Sequence, residues 1–328
     1  RSSQKRKFII SSFLNHNTLE TRNISTIQHL SLLQKKIHFI VNPFSGVGQQ
    51  RIIEKRISAV LDHEKYDPVI RYTEAAGHAT TLAKEAVKSG VEYVVAVGGD
   101  GSVNEVMRGL LGSNTVLGII PTGSGNGLAM HLKIGRKIDR ALKILNTGTV
   151  RTIDTCTVNS APFVNLAGVG FDAHVAYHMK RSKFRGLKGY LWQTLIHAWN
   201  FELPEVEITI DGKTIHRHCL VVEVANAPMF GYNFLMAPQA KLDDGLLDIV
   251  LIKKAPKWRY LFSAWRFLNG SILKSSLTEH YEGRSIQIAS KKEMAVHYDG
   301  EGFLAKEELT FEVVELSLNV LVPQDNSI

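Results

Sequence analysis

Three times in the first 130 residues, a short apolar run ends in a small-residue loop that opens onto a helical stretch. Residues 36–41 (KIHFIV) lead into Asn42-Pro43-Phe44-Ser45-Gly46. Residues 93–97 (YVVAV) lead into Gly98-Gly99-Asp100-Gly101-Ser102-Val103-Asn104-Glu105. Residues 116–121 (VLGIIP) lead into Gly123-Ser124-Gly125-Asn126-Gly127. Runs of this kind suit strands buried on both faces, and their alternation with helices argues a parallel sheet between helical layers. Loops at the carboxyl ends of such strands are where open α/β sheets place ligands.

The loop chemistry points to an anion. Glycines let backbone N–H groups approach phosphate oxygens, and a helix N-terminus favours negative charge. Asp100 offers a carboxylate where a Mg²⁺-bound phosphate would sit. No Gly-Lys-Ser/Thr follows the glycines, so this is not a Walker loop, and it is not G-x-G-x-x-G either. Each loop alone could be a plain strand-to-helix turn, with Asp100 a helix cap. Three at strand ends in one sheet would converge on one ligand.

After residue 154 the texture changes. Runs such as EVEITIDGKTI, CLVVEVANA, LLDIVLI and ELTFEVVELSLNVLVP are β-rich, and turn pairs such as Asp211-Gly212 and Asp244-Gly245 separate them. Helical stretches are expected over 73–90, near 184–200 and near 256–272. The reading is α/β in two domains. Residues 36–154 form a parallel-sheet nucleotide-binding domain. Residues 155–328 form a β-rich sandwich, whose last strand could return to the first domain. Residues 1–35 read as a leader or extension, with a targeting peptide as the other reading.

Composition narrows the class. At 44% hydrophobic and 21% charged residues, the chain is neither disordered nor low-complexity. No apolar run approaches the about 18 residues of a spanning helix. Two cysteines, Cys156 and Cys219, cannot make a disulfide framework, which fits a reducing, cytoplasmic setting. A zinc site is not expected: no His-x₃-His or His-Glu-x-x-His is read among the 13 histidines, and His29, His38, His78, His131 and His297 are scattered. The net charge of +8 favours anionic partners.

In this order and at these spacings, NPFSG, GGDGSVNEV and IPTGSGNGLA resemble the catalytic domain of the diacylglycerol kinase family. That family includes the soluble bacterial diacylglycerol kinases, related bacterial lipid kinases and sphingosine kinases. The resemblance spans about 36–325 and takes in Asn165-Leu166-Ala167-Gly168, Gly170-Phe171-Asp172, Asp243-Asp244-Gly245 and Asp299-Gly300-Glu301. It implies an N-terminal domain of the NAD kinase/diacylglycerol kinase type, with ATP bound in a cleft between the domains.

The resemblance also carries roles for residues. It implicates Asn42, Pro43, Phe44, Ser45, Gly46, Thr73, Gly98 through Glu105, Gly123, Ser124 and Asn126 in nucleotide contact. Thr73, at the expected start of the second helix, could touch phosphate or only cap the helix. Asp299-Gly300-Glu301 resembles the family's late acidic motif, in which a carboxylate orients the attacking hydroxyl and accepts its proton. Glu301 is the implied base and Asp299 its neighbour or alternate; either could instead hold metal, and an exposed hairpin turn is the plain reading. For Mg²⁺, Asp100 leads, and Asp154 matches a family aspartate of the metal–water network or is a boundary turn residue. Asp244, with the carbonyls of Lys241 and Leu246, resembles a second, structural Mg²⁺ site; a plain turn is the other reading.

The chain departs from the common pattern at Ser124 and Gly127, where the form is closer to sphingosine kinases. The expected activity is therefore ATP- and Mg-dependent phosphorylation of a hydroxyl on a diacylglycerol-like or sphingoid-base lipid. Two alternatives stay open: an NAD kinase-type soluble nucleotide kinase, and a non-catalytic nucleotide-binding regulator. Lys180, Arg181, Lys183, Arg185 and Lys188 precede Tyr190 and Trp192, and cations mix with aromatics again from Lys253 to Arg266. Such patches suit peripheral docking on an anionic membrane, or are solvated helix faces. No nucleic-acid module accompanies them. Oligomeric state is not legible, a homodimer being the assembly entertained.

Overall fold

The computed structural model describes residues 34–45, 50–179, 182, 186–198, 201, 205–231, 234–306 and 308–324. Of the expected features, the segment 1–33, Gly46, Lys180, Arg181, Lys183 and Arg185 lie outside these residues.

The first half alternates as its apolar runs require. In chain order it forms β1 (Lys35–Val41), α1 (Gln50–Val60), β2 (Tyr66–Tyr72), α2 (His78–Lys88), β3 (Tyr93–Gly98), α3 (Asp100–Leu110), β4 (Val116–Pro121), α4 (Gly127–His131) and α5 (Ile138–Thr147). The strands pair in parallel in the order β2-β1-β3-β4. Every residue of β3 and β4 is buried, since helices cover both faces. The order reverses between β1 and β3. That crevice is the topological switch point, and the loops after β1 and β3 flank it.

The helix expected over 73–90 begins later, at His78. Thr73 instead prolongs the sheet, its N–H donating to Val41 O (2.9 Å), and Gly77 then turns the chain at φ 80°.

The second half forms β5 (Thr149–Val158), β6 (Ala161–Phe163), β7 (Leu166–Gly170), α6 (Phe171–Met179), α7 (Gly186–His197), β8 (Val206–Ile210), β9 (Lys213–Arg217), β10 (Cys219–Ala225), β11 (Met229–Gly231) and β12 (Phe234–Leu235). β13 (Leu247–Lys253), α8 (Lys257–Ser263), α9 (Trp265–Leu268), β14 (Thr278–Gly283), β15 (Ser285–Ser290), β16 (Met294–Tyr298), β17 (Glu301–Ala305) and β18 (Leu309–Val322) complete it. Six strands make an antiparallel sheet, β14-β13-β10-β7-β16-β17. One face, with Val222, Val224, Ile249 and Val296, packs on Ile208, Ile286, Ile288 and Phe311 of the other sheet. On the opposite face, a second apolar cluster around Val221, Ala225 and Val250 takes up Tyr260 of α8 and Phe267 of α9, while α6 packs on β16 and β17. The architecture is thus an α/β domain followed by an antiparallel β sandwich.

The two halves share a strand. β18 pairs with β5 along most of its length, with β15 near its start and with β4 at Val320. To serve both it shifts register between Val314 and Leu318, where Leu316 takes the left-handed region at φ 45°. The buried Asp154 holds this jog: its Oδ1 accepts the Leu316 N–H (2.7 Å) and its Oδ2 the Gly245 N–H (2.8 Å). Asp154→Ala would leave the buried Gly245 amide without an acceptor and release the more exposed Leu316 amide. We expect it to cost about 1–3 kcal/mol, read as a lower urea midpoint.

Candidate active site

Hydrogen bonds tie the three loops into one surface. Asn42 Nδ2 donates to Ser102 Oγ (3.2 Å), and Asn42 Oδ1 accepts the Phe44 N–H (2.9 Å). The Ser45 and Thr122 hydroxyls are hydrogen-bonded at 2.6 Å. Asp100 joins the second loop to the third, accepting the N–H groups of Asn126 (2.8 Å) and Gly127 (2.6 Å). Burial pushes the Asp100 carboxyl up, against these two amides, which pull it down.

The glycines are there because two backbones touch. A Cβ on Gly123 would stand 2.4 Å from Gly99 Cα, and one on Gly98 would stand 2.3 Å from Ser102 Oγ. Asn126 completes the third loop in the left-handed region, φ 57°, its side chain bonding both N–H (3.1 Å) and C=O (2.7 Å) of Gly123. Beside this loop lies a cavity of about 430 Å³, lined by Thr122, Gly123, Asn126 and three cations, Arg56, Arg136 and Lys137. Arg136 also holds the carbonyl of Ser124 at 3.2 Å.

The residues expected at the nucleotide differ in their surroundings. Val103 belongs to the core. Glu105 points its carboxylate at the start of α2, accepting the Ala79 N–H at 3.2 Å. Phe44 is 76% exposed, and Gly101 is also exposed.

Across from α3, the turn between β16 and β17 carries the acidic motif. Asp299 sits at φ 46°, which aspartate tolerates. Its Oδ1 accepts the N–H groups of Asn165 (2.8 Å) and Leu166 (3.3 Å). Its Oδ2 accepts the Val164 N–H (3.0 Å) and the Asn104 side-chain amide. This corrects the expectation of an alternate base: four donors occupy Asp299, which clamps α3 to the start of β7. Glu301 is the carboxylate left open, 3.9 Å from Arg108 Nη2 on α3. The Arg108 guanidinium lies 5.0 Å over the Tyr298 ring.

Asp154 and the Lys241–Leu246 turn meet at the domain junction. Asp154 is spent on backbone amides, as described above. Asp244 Oδ1 accepts the Leu246 N–H at 3.2 Å, and Arg151 pairs with Asp243 at 2.8 Å. Asp154 thus bolts this turn to the shared strand.

The cleft has unspent polar groups. Arg108 Nε and Nη2 are buried without a hydrogen-bond partner. So are the side-chain oxygens of Asn104 and Asn165, two of the four residues Asp299 holds. Guanidinium nitrogens with donors to spare suit phosphate, and amide oxygens are among the hard donors Mg²⁺ prefers.

Comparison with known proteins agrees. Residues 36–158 match the diacylglycerol kinase catalytic domain, and residues 165–322 match the YegS C-terminal NAD kinase beta sandwich-like domain. The chain carries a diacylglycerol kinase catalytic domain followed by a YegS-type C-terminal domain. It is 29% identical to the diacylglycerol kinase of Bacillus subtilis (strain 168), over 89% of this chain and 98% of that protein. It is likewise 29% identical to a protein of Chromohalobacter salexigens named a probable YegS-like lipid kinase, over 71% and 76% of the two chains. A crystal structure of a provisionally assigned diacylglycerol kinase from Bacillus anthracis str. Sterne superposes with a TM-score of 0.73 at 25% identity, covering 90% of this chain and 99% of that one. The protein is a kinase, a phosphotransferase with an alcohol acceptor.

Sequence reasoning missed three buried groups of this kinase. His297 Nε2 lies 3.0 Å from Asp172 Oδ2 and 3.1 Å from Glu223 Oε1. Glu223 on β10 and His297 on β16 both pair with Gly168 of β7, and they meet across it because glycine puts no side chain between them. Asp172 comes down from α6, which rests on Gly302, where a Cβ would strike Tyr177 N at 2.2 Å. Burial pushes the Glu223 carboxyl well up. Burial also acts against charge on His297 and Asp172, but the Glu223 and Asp172 carboxyls outweigh it at His297, held well above the usual imidazole range, and His297 outweighs it at Asp172, held below the usual carboxylate range. The histidines are also less scattered than expected, since His174 and His178 stand four apart on α6.

The sign of the pH dependence follows. Asp172, depressed on folding, contributes stability above the ordinary carboxylate pKa and loses it as pH falls. His297, raised on folding, contributes below its ordinary pKa and loses it as pH rises through its raised value. Asp172→Asn leaves a buried imidazolium short of its partner and is expected to cost about 3–5 kcal/mol at neutral pH. The difference from wild type should shrink below about pH 4. Urea melts of both proteins across pH check it; a pH-independent difference would contradict the ion pair.

Proposed function

We propose that this kinase transfers the terminal phosphate of ATP, with Mg²⁺, to a hydroxyl of a diacylglycerol-like or sphingoid-base lipid at an anionic membrane surface. The observation that carries this reading is the placement of Glu301. Asp299 pins its turn against α3, and α3 grows directly out of the Gly98–Ser102 loop. Glu301 thus stands beside Arg108 on the helix that begins at that loop, 3.9 Å from its guanidinium.

Bound ATP–Mg²⁺ supplies an electrophilic phosphorus and neutralises charge on the transferred group. The chain's residues do the rest. Amides of the glycine loops and the Arg108 guanidinium hold phosphate oxygens. Asn104 Oδ1 and Asn165 Oδ1, with Glu301 and the remaining lone pairs of Asp100, offer oxygen donors to the metal or its water. Glu301 orients the lipid hydroxyl and takes its proton as the oxygen bonds to phosphorus and the bond to ADP breaks.

Glu301→Gln removes that acceptor while keeping shape, and should lower kcat about 10²–10⁴-fold with ATP binding retained. The check is label transfer from ATP to micelles of diacylglycerol, monoacylglycerol, sphingosine, dihydrosphingosine, ceramide or undecaprenol, with NAD as the soluble control. Label only in NAD would overturn the lipid reading. Equal turnover in Glu301→Gln would remove Glu301 from the reaction.

The outer helices support the membrane part of the proposal. Among the described residues no helix is long and apolar enough to cross a membrane. Yet α7 exposes Leu191, Trp192, Leu195 and Ile196, while α8 and α9 expose Trp258, Leu261, Phe262, Trp265 and Leu268, with Phe262 at 72%. The inward residues Tyr260 and Phe267 anchor α8 and α9 to the sheet. Large apolar side chains bordered by cations such as Lys188, Lys254, Lys257 and Arg266 suit the interface of an anionic bilayer. Trp258→Ser with Phe262→Ser should cut cosedimentation with anionic vesicles at least tenfold and leave folding unchanged by circular dichroism. Undiminished binding would place docking elsewhere.

A further inference from the structure

The proposed chemistry makes no use of three histidines on the outer helices. His174 and His178 are one turn apart on α6, so they share a face. His197 lies at the end of α7, packed alongside. His174 Nε2 is 3.1 Å from His197 Nδ1. The ring centroids are 4.5 Å apart for His174 and His178, 4.6 Å for His174 and His197, and 4.2 Å for His178 and His197. One nitrogen from each ring can be chosen so that all three lie within 4.8 Å of one another. All three residues are half-buried, open enough for an ion to enter.

Burial, then the neighbouring His178 and His197, push His174 down to about 4, so it is neutral near physiological pH. A neutral imidazole is the form that ligates a metal. Ligand nitrogens at about 2.0–2.1 Å from a tetrahedral ion lie about 3.3 Å apart, close to the separation His174 and His197 already have. His178 is stacked on His197 at an interplanar angle of 23°, so it must turn about its Cβ–Cγ bond to aim at the same point.

We propose that His174, His178 and His197 form a binding site for a divalent transition metal of the Zn²⁺ class, which fastens α7 to α6. Three nitrogens leave the fourth tetrahedral position for water. The site is chemically separate from any Mg²⁺ site, because Mg²⁺ selects hard oxygens. Cys156 and Cys219 are buried thiols of the sandwich, Cys156 in β5 and Cys219 in β10. If α7 docks as proposed above, the metal would set how firmly that helix is presented; the site itself does not depend on that reading.

The test uses the full chain without an affinity tag, stripped with a chelator and titrated with Co²⁺ in excess Mg²⁺. We expect one equivalent to bind with the strong visible absorption of tetrahedral Co²⁺, and Zn²⁺ to displace it. Replacing any of the three histidines by Ala or by the bulkier Gln should weaken binding by more than the about 10–100-fold typical of outer-shell changes. His216, on exposed β9, serves as control, and His216→Ala should bind as wild type does. Absence of the visible band would overturn the proposal. So would a band that persists in His197→Gln and in the His174→Gln/His178→Gln double variant, or one that weakens equally in His216→Ala.

Discussion

The carboxylate of Asp299 joins the two halves of this molecule at the place where they must cooperate. Its two oxygens accept three consecutive backbone amides, from Val164 to Leu166, and the side chain of Asn104. Hydrogen bonds to a charged acceptor contribute about 1.5–3 kcal/mol each, roughly twice a neutral one. One residue thereby fixes the entry to β7, the orientation of α3 and the turn that presents Glu301. The glycine contact between Gly99 and Gly123 does the corresponding work among the loops, since it lets two strand ends approach at backbone distance. The active-site cleft is what lies between these two constraints.

Much of this was legible in the residues. The parallel half could be read because β1, β3 and β4 are continuous apolar runs, and because the glycine loops stand at their ends. The family followed from motif order and spacing. What failed was local detail that depends on register. Thr73 looks like a helix start in isolation, but its amide is taken by Val41 across the sheet. Glu105 sits in a phosphate-binding string, yet one helical turn of geometry sends its carboxylate to the start of α2. Asp299 and Glu301 are two residues apart and chemically alike; only the fold shows that one is saturated with donors and the other is not.

The Asp172, Glu223 and His297 cluster shows a harder limit. Its members are 51 to 125 positions apart. They meet because Gly168 leaves a gap in the middle of three paired strands and Gly302 lets α6 settle beside it. Nothing in the local pattern of any one strand announces that meeting. His174 and His178 are a different case. Their spacing is His-x₃-His, which sequence reasoning missed although it stands in the residues, and α6 was not foreseen as the helix that gives it geometric meaning.

The strand shared by both sheets bears on how the molecule comes to exist. β4 and β5 emerge from synthesis more than 150 residues before the segment that pairs with them at Leu117 and from Thr149 to Val158. Until β18 arrives, both carry unmatched edges, and an unmatched β edge invites pairing with another chain. Such long-range pairing also slows folding, because the loop must close before the contact repays it. The nucleotide-binding half is therefore the first to be made and among the last to be finished, and during that interval the nascent chain depends on its surroundings to stay unaggregated.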